Sequence, residues 1–304
     1  MIQDKINELL GNDLLKLVNS VGAGLLEVEP LSRSYVPGLK KGCFLLRFSN
    51  NRILKGRRFL NSKRAKRVHE LSKFLDSNHF PEVLSHNRTA LLLNWIDGKP
   101  LSSSKCTLET LRECGELHSM IHNIKLPDEI IESALKEINI SYKPRFLKVR
   151  KKIRELVLLG LLHKAEAGKL FEVITEHAPK SFDFGLIPGD FFSENLIIAP
   201  SGHINFIDTE SLAVDAYDYD LGRTWYRWTM NSDEREVYIS GYISHRSIES
   251  FRKHFYYWMI IVLVSSALFR FKFGTKETSH PIKKLGDLIK AVKDKNTSNP
   301  ELFF

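Results

Sequence analysis

Cysteine is scarce in this 304-residue chain: Cys43, Cys106 and Cys114 are the three, and no two share a C-x-x-C spacing. That argues against a disulfide framework or a zinc site, and suits a reducing compartment, so a cytoplasmic location is the expectation. Long apolar runs are also lacking. The longest, Phe255 to Phe269, is fifteen residues broken only by Ser265 and Ser266, short of the ~20 that a membrane-spanning helix needs. It reads instead as a buried helix. Asp4, Glu8 and Asp13 interrupt the apolar residues of the first turns, which is not the pattern of a signal peptide. No internal repeat is visible. Acid is missing from Arg52 to Arg67, where eight residues are basic. A solvated helix face explains such a run; the alternative is an anion site for a nucleotide, a phosphorylated substrate or a negative membrane surface.

What is present is an ordinary globular balance, 43% apolar and 27% charged, with a formal net charge of +9. A chain of this length can bury a sizeable core and hold two lobes. Apolar residues at Ile2, Ile6, Leu9, Leu10, Leu14, Leu15 and Val18 predict one amphipathic helix over 2–20. Strands are predicted over Gly24 to Leu31, Cys43 to Phe48, Ile53 to Lys55, Pro81 to Leu84 and Ala90 to Trp95. After Gly98 the chain is mostly helical, with helices over Thr107 to Ile121 and, between 128 and 180, two or three more. His118 and His122 stand one turn apart on the first of these. With no third ligand evident in sequence, they read as structural histidines rather than a metal site.

The most informative stretch runs from Leu186 to Arg223. Asp190 follows a short apolar run in a turn, and Asn195 comes five residues later. Leu196 to Ala199 and Ile204 to Ile207 read as a hairpin around Pro200-Ser201-Gly202, and its second strand delivers Asp208. Two carboxylates and an amide are hard oxygen ligands of the kind that hold Mg²⁺ with substrate phosphates. Phosphoryl transfer uses such a set: one carboxylate to position a hydroxyl, an Asn and an Asp to hold metal.

Gly189-Asp190 with Asn195, then Ile207-Asp208 with Glu210, then Asp220-Leu221 resemble, in order and spacing, the catalytic core of the aminoglycoside phosphotransferase and choline kinase superfamily, relatives of the protein kinases. Asp183-Phe184-Gly185 spells a kinase metal motif but precedes Asp190, so Asp208 takes that role and Asp183 reads as a turn residue. The resemblance implies an α+β, protein-kinase-like two-lobe fold, with a small antiparallel-sheet N-lobe and a larger, mostly helical C-lobe. Its divisions would be an N-terminal helix over 1–22, an N-lobe over 23–97 and a C-lobe over 98–304. It implies ATP as donor, with GTP the alternative, and Mg²⁺ as cofactor, with the nucleotide lying between the lobes. Asp190 would be the catalytic base, Asn195 and Asp208 would bind Mg²⁺, Glu210 would assist a second metal, and Asp220 would brace the loop from a helix. A strand lysine held by a helix glutamate grips the phosphates in kinases, which implies Lys55 and Glu70. Arg57, Arg58 and Lys63 compete for the lysine's role. Leu93, Asn94, Trp95 and Ile96 would carry the adenine at the hinge. Glycine is sparse where such folds cover the phosphates: between Ser32 and Gly42 there are only Gly38 and Gly42, so Ser32 and Ser34 would supply hydroxyls there.

The implied function is phosphorylation of a small-molecule hydroxyl, on a sugar, amino alcohol or aminoglycoside; the alternatives are a pseudokinase that binds nucleotide without transfer, or a kinase of a glycolipid at a membrane surface. The basic balance leans toward a neutral or anionic acceptor and allows peripheral contact with an anionic membrane. The acids of 209–220 leave open a local negative pocket. Nucleic acid is not expected as a partner, because Phe59 is the only aromatic in the basic block.

Overall fold

A computed structural model describes residues 2–31, 42–103, 106–138, 142–274, 278–294 and 300. Ser32 and Ser34, the expected phosphate-loop hydroxyls, lie outside the described residues, as does Gly38. The chain divides into two compact units, one of residues 1–105 with 193–213, the other of 106–192 with 214–304. This differs from a partition at residues 22 and 97. The N-terminal helix belongs to the first unit because its apolar stripe is part of that unit's core, and the hairpin of 193–213 joins the same unit.

In the first unit, α1 (Ile2–Asn19) precedes β1 (Leu25–Pro30), β2 (Gly42–Phe48), β3 (Ile53–Arg58), α2 (Ser62–Ser72), β4 (Val83–Asn87) and β5 (Ala90–Asn94). The strands form an antiparallel sheet in the order β1-β2-β3-β5-β4. Leu10, Leu14, Leu17 and Val18 of α1 pack on Phe44, Leu46, Phe48, Leu54 and Leu92 to make one core. Ala65 and Val68 of α2 pack on Phe59, Leu91 and Leu93 to make another. The N-terminal helix is not continuous. Gly11 breaks it at φ 63°, in left-handed space where a side chain is strained. Arg58 closes the break by donating to the carbonyl of Leu9, one of the orphan acceptors that a helix end leaves. A second, smaller sheet runs β6 (Lys99–Pro100), β8 (Leu196–Ile198), β9 (Ile204–Phe206), with Leu196 opposite Phe206.

The second unit holds α3 (Leu108–His122), α4 (Asp128–Ile138), α5 (Tyr142–Leu158), α6 (Lys164–Glu176), the short strand β7 (Phe184–Ile187) paired with β10 (Ala213–Ala216), then α7 (Tyr217–Arg227), α8 (Ser232–Tyr242), α9 (Glu249–Lys253), α10 (Phe255–Lys272) and α11 (Ser279–Asp294). The apolar run of the sequence is α10. Its residues 257–264 are buried, packed on α5, α6, α7 and α11, so the helix is long and apolar because it is central. No disulfide forms; all three cysteines are free thiols.

α3 and α8 meet backbone to backbone. A Cβ on Gly115 would overlap the carbonyl of Tyr238, and one on Gly241 the carbonyl of Arg112. Glycine at both positions lets the two helices approach closely enough for their side chains to interlock. Gly241→Ala is therefore expected to destabilise the protein by about 1–3 kcal/mol through overpacking, read as a lowered denaturant midpoint with an unchanged m-value.

Candidate active site

The first unit gathers one half of the expected site around a single residue, Ile207. Its N–H donates to the carbonyl of Asn195 at 2.9 Å, and its own carbonyl accepts from Lys55 Nζ at 2.6 Å. The next residue is Asp208. The ammonium, the amide-bearing residue and the carboxylate-bearing residue thus meet around one residue of the hairpin. Strand geometry explains why Lys55 can do this. On β3, side chains alternate faces, so Lys55 and Arg57 share one side while Leu54 and Gly56 turn to the α1 core. Lys55, Leu93, Asp208, Thr209 and Glu210 line one narrow pocket with Arg57.

The partner of Lys55 is not the expected one. Glu70 lies half-exposed on α2 and pairs with Lys66, one turn earlier, at 3.7 Å. The structure does not bring Lys55 and Glu70 together. The buried ion pair in this region is instead Arg57 with Glu210, and Arg64 Nε adds a hydrogen bond to the Glu210 carbonyl at 3.3 Å. Glu210, expected beside a second metal, is occupied by an arginine. This also accounts for much of the basic run: Lys55, Arg57, Arg58, Arg64 and Lys66 each hold a protein oxygen.

The hinge residues continue β5. Leu93 is buried and Asn94 is the last residue in the ladder, paired with Leu54. Trp95 and Ile96 follow with backbone outside the sheet, and Trp95 Nε1 donates to Asp97 at 2.9 Å.

The second unit carries Asp190. It follows Gly189, whose φ of 75° is left-handed and suits glycine. The Gly189 N–H donates to Asp220 Oδ1 at 3.0 Å, and the Thr224 hydroxyl donates to the Phe191 carbonyl at 2.8 Å. Helix α7 thereby holds the loop from two of its turns. Asp220 is fully buried, and its Oδ2 accepts from His118 Nε2 at 2.7 Å and His122 Nε2 at 3.3 Å. The Tyr238 and Tyr242 hydroxyls serve the opposite ring nitrogens at 2.6 and 2.7 Å. With the hydroxyls on Nδ1 and both Nε2 atoms on the carboxylate, every ring nitrogen and both Asp220 oxygens have a partner. Burial opposes the charge on Asp220, but the two imidazole hydrogen bonds overcome it and hold the acid well below the usual carboxylate range. Burial, reinforced by His118, pushes His122 down to about 3.

The histidine pair does have a third acidic companion, Asp220, within ligand distance, which the sequence alone did not place. Both nitrogens of each ring already have partners, so the cluster is a hydrogen-bonded brace. Asp183 of the Asp-Phe-Gly decoy is exposed and pairs with Arg246 at 2.9 Å.

Sequence reasoning missed two neighbours of Asp190. Arg223 Nη2 lies 3.3 Å and Arg227 Nη1 2.5 Å from Asp190 Oδ1. The signal was there: Asp220, Arg223 and Arg227 recur at helical spacing, which puts them on one face.

The family model described as "Phosphotransferase enzyme family" (APH) matches residues 35–251, more than half of the chain. The chain belongs to the phosphotransferase enzyme family. It is accordingly a phosphotransferase with an alcohol group as acceptor. Solved structures agree in fold at low identity. A macrolide 2'-phosphotransferase type I superposes with a TM-score of 0.63 at 13% identity, covering 90% of this chain and 95% of that one. A choline kinase from Cryptosporidium parvum Iowa II gives 0.63 at 15% identity over 91% and 94%. The ADP-bound aminoglycoside phosphotransferase APH(2'')-Ib gives 0.59 at 19% over 91% and 96%. No curated protein sequence matches the chain. The fold is thus the protein-kinase-like fold of these phosphotransferases, with its antiparallel sheet in the first unit and its helices mainly in the second.

The donor set of this phosphotransferase suits a magnesium ion. Asp208 is half-buried, and its carboxylate has no hydrogen-bond or ion-pair partner among the described residues, while Asn195 adds a neutral oxygen from the same hairpin. These are hard ligands of the type Mg²⁺ takes alongside phosphate oxygens.

Proposed function

We propose that the chain is an ATP- and Mg²⁺-dependent kinase of a small-molecule hydroxyl. Asp190 orients the acceptor hydroxyl and takes its proton. Lys55 contacts the nucleotide phosphates, Asn195 and Asp208 hold the metal, and the backbone beyond Asn94 pairs with the adenine. When bound, the metal neutralises charge on the phosphates undergoing transfer. The protein's own task is positioning and electrostatics, since the transition state of such a transfer is loose.

One observation carries this reading: both backbone polar groups of Ile207 are used, one by Asn195 and one by Lys55, directly beside an unpartnered Asp208 carboxylate. A hairpin whose acids merely capped turns would leave Asp208 with a local partner. The ADP-bound relative supports a nucleotide as ligand, and macrolide, choline and aminoglycoside kinases among the neighbours support a small-molecule alcohol as acceptor.

ATP binding measured by calorimetry with and without Mg²⁺ tests the assignment. Mg²⁺ is expected to tighten binding in the parent, and Asp208→Asn to remove that gain. The loss should reach at least the roughly 10–100-fold in affinity that disturbing a partner of a metal ligand costs. Equal ATP affinity for both proteins at every Mg²⁺ concentration would refute the role of Asp208. Running GTP in parallel fixes the donor.

A further inference from the structure

We infer that Arg223 and Arg227 form an anion-binding fork on the acceptor side of Asp190, and that the acceptor is an alcohol carrying its own phosphate or carboxylate. This rests on the kinase reading above and names the substrate class for it.

The charge count at Asp190 points that way. One carboxylate oxygen is met by two guanidiniums, at 3.3 and 2.5 Å, so two cations converge on the position that receives the hydroxyl. The acids of 209–220 each have partners of their own. Asp215 is paired with Arg145, Asp218 accepts from Ser250 at 2.7 Å, Asp220 is closed in by two histidines and Gly189, and Glu210 holds Arg57.

The two arginines also have capacity to spare. A guanidinium offers five N–H donors in a fixed fork that matches a carboxylate or phosphate. The Nε–H of Arg223 is buried with no hydrogen-bond partner, a state that costs a buried donor its hydration. Arg227 is 38% exposed and lies 4.0 Å over the Phe192 ring, which fixes the guanidinium plane while leaving donors open to solvent. An exposed, ring-oriented guanidinium beside a second one suits an oxyanion. An ammonium-bearing acceptor would meet like charge there.

Two measurements on the intact protein decide this. In the first, transfer from ATP with Mg²⁺ is followed for glucose, glucose 6-phosphate, gluconate and choline, and for vesicles of phosphatidylcholine with and without phosphatidylinositol. In the second, binding of the same soluble probes is titrated without nucleotide. The anionic probes are expected to exceed glucose by about tenfold or more, equivalent to 1.4 kcal/mol. Arg227→Gln and Arg223→Gln should each narrow that ratio, chiefly through KM, with Arg227→Lys restoring part of it because charge returns without the fork. Preference for phosphatidylinositol vesicles over soluble anions identifies a lipid headgroup, and the reverse a free metabolite; both support the fork. Anion-selective binding without transfer supports the fork and overturns the kinase reading. Transfer to glucose or choline without charge preference, or a ratio that both glutamine variants leave intact, overturns the fork and keeps the kinase. Absence of both transfer and binding overturns both.

Discussion

Asp190→Asn is expected to lower kcat by roughly 10²–10⁴-fold, the usual contribution of a positioned general base, with ATP affinity near the parental value. The reason lies in where Asp190 is held. Its loop is fixed by the Gly189 N–H on Asp220 and by Thr224 on the Phe191 carbonyl, so an amide at position 190 keeps the backbone while losing the proton acceptor. Nucleotide contacts are proposed for Lys55, Asn195 and Asp208, and none of these changes. Pre-steady-state phosphoryl transfer, with ATP binding measured alongside, separates the two effects. A parental transfer rate in Asp190→Asn would remove Asp190 from the chemistry.

Asp220→Ala is expected to cost about 3–5 kcal/mol of stability, the range for removing one partner from a fully buried charged cluster, and to depress turnover with it. Three donors lose their acceptor at once: His118 Nε2, His122 Nε2 and the Gly189 amide. The helices that supply the histidines and tyrosines are already in backbone contact at Gly115 and Gly241, so the cavity has little scope to collapse. Denaturant unfolding measures the loss, and a change below about 1 kcal/mol would show that the cluster is not a brace.

The same cluster sets an acid response. His122 is neutral in the fold and held down to about 3, whereas an unfolded histidine protonates near ~6.5. Below that pH the unfolded state binds the extra proton, so stability falls as pH drops from about 6.5 toward 3, by at most about 1.4 kcal/mol per unit. Asp220, also depressed, adds to the loss at the acid end, where its unfolded form protonates. His122→Gln should flatten the slope between pH 6.5 and 4, and an unchanged slope would place the responsible group elsewhere.

Much of the fold was legible because periodicity is local. The five strands of the first sheet and helix α3 fall within a few residues of where apolar spacing put them, and α4 to α6 fill the 128–180 stretch read as helical. The order Asp190, Asn195, Asp208, Asp220 was legible for a related reason, since a loop, a hairpin and one helix carry all four in a short stretch. What the sequence did not disclose depends on distant partners. Arg58 reaches back 49 residues to close the break at Gly11, and His118 meets Asp220 across 102. No local pattern marks such meetings. Glu70 was paired with Lys55 on the kinase resemblance and the spacing; in the structure its nearer neighbour Lys66 takes it, while Arg57 and Glu210 form the buried pair.

The most direct measurement is ³¹P spectroscopy of the protein with ATP, Mg²⁺ and an alcohol acceptor. The expected result is a new phosphate-ester resonance growing in step with ADP, requiring Mg²⁺ and absent with Asp190→Asn. ADP appearing with inorganic phosphate alone across every acceptor, or an ester that forms equally well in Asp190→Asn, would contradict it.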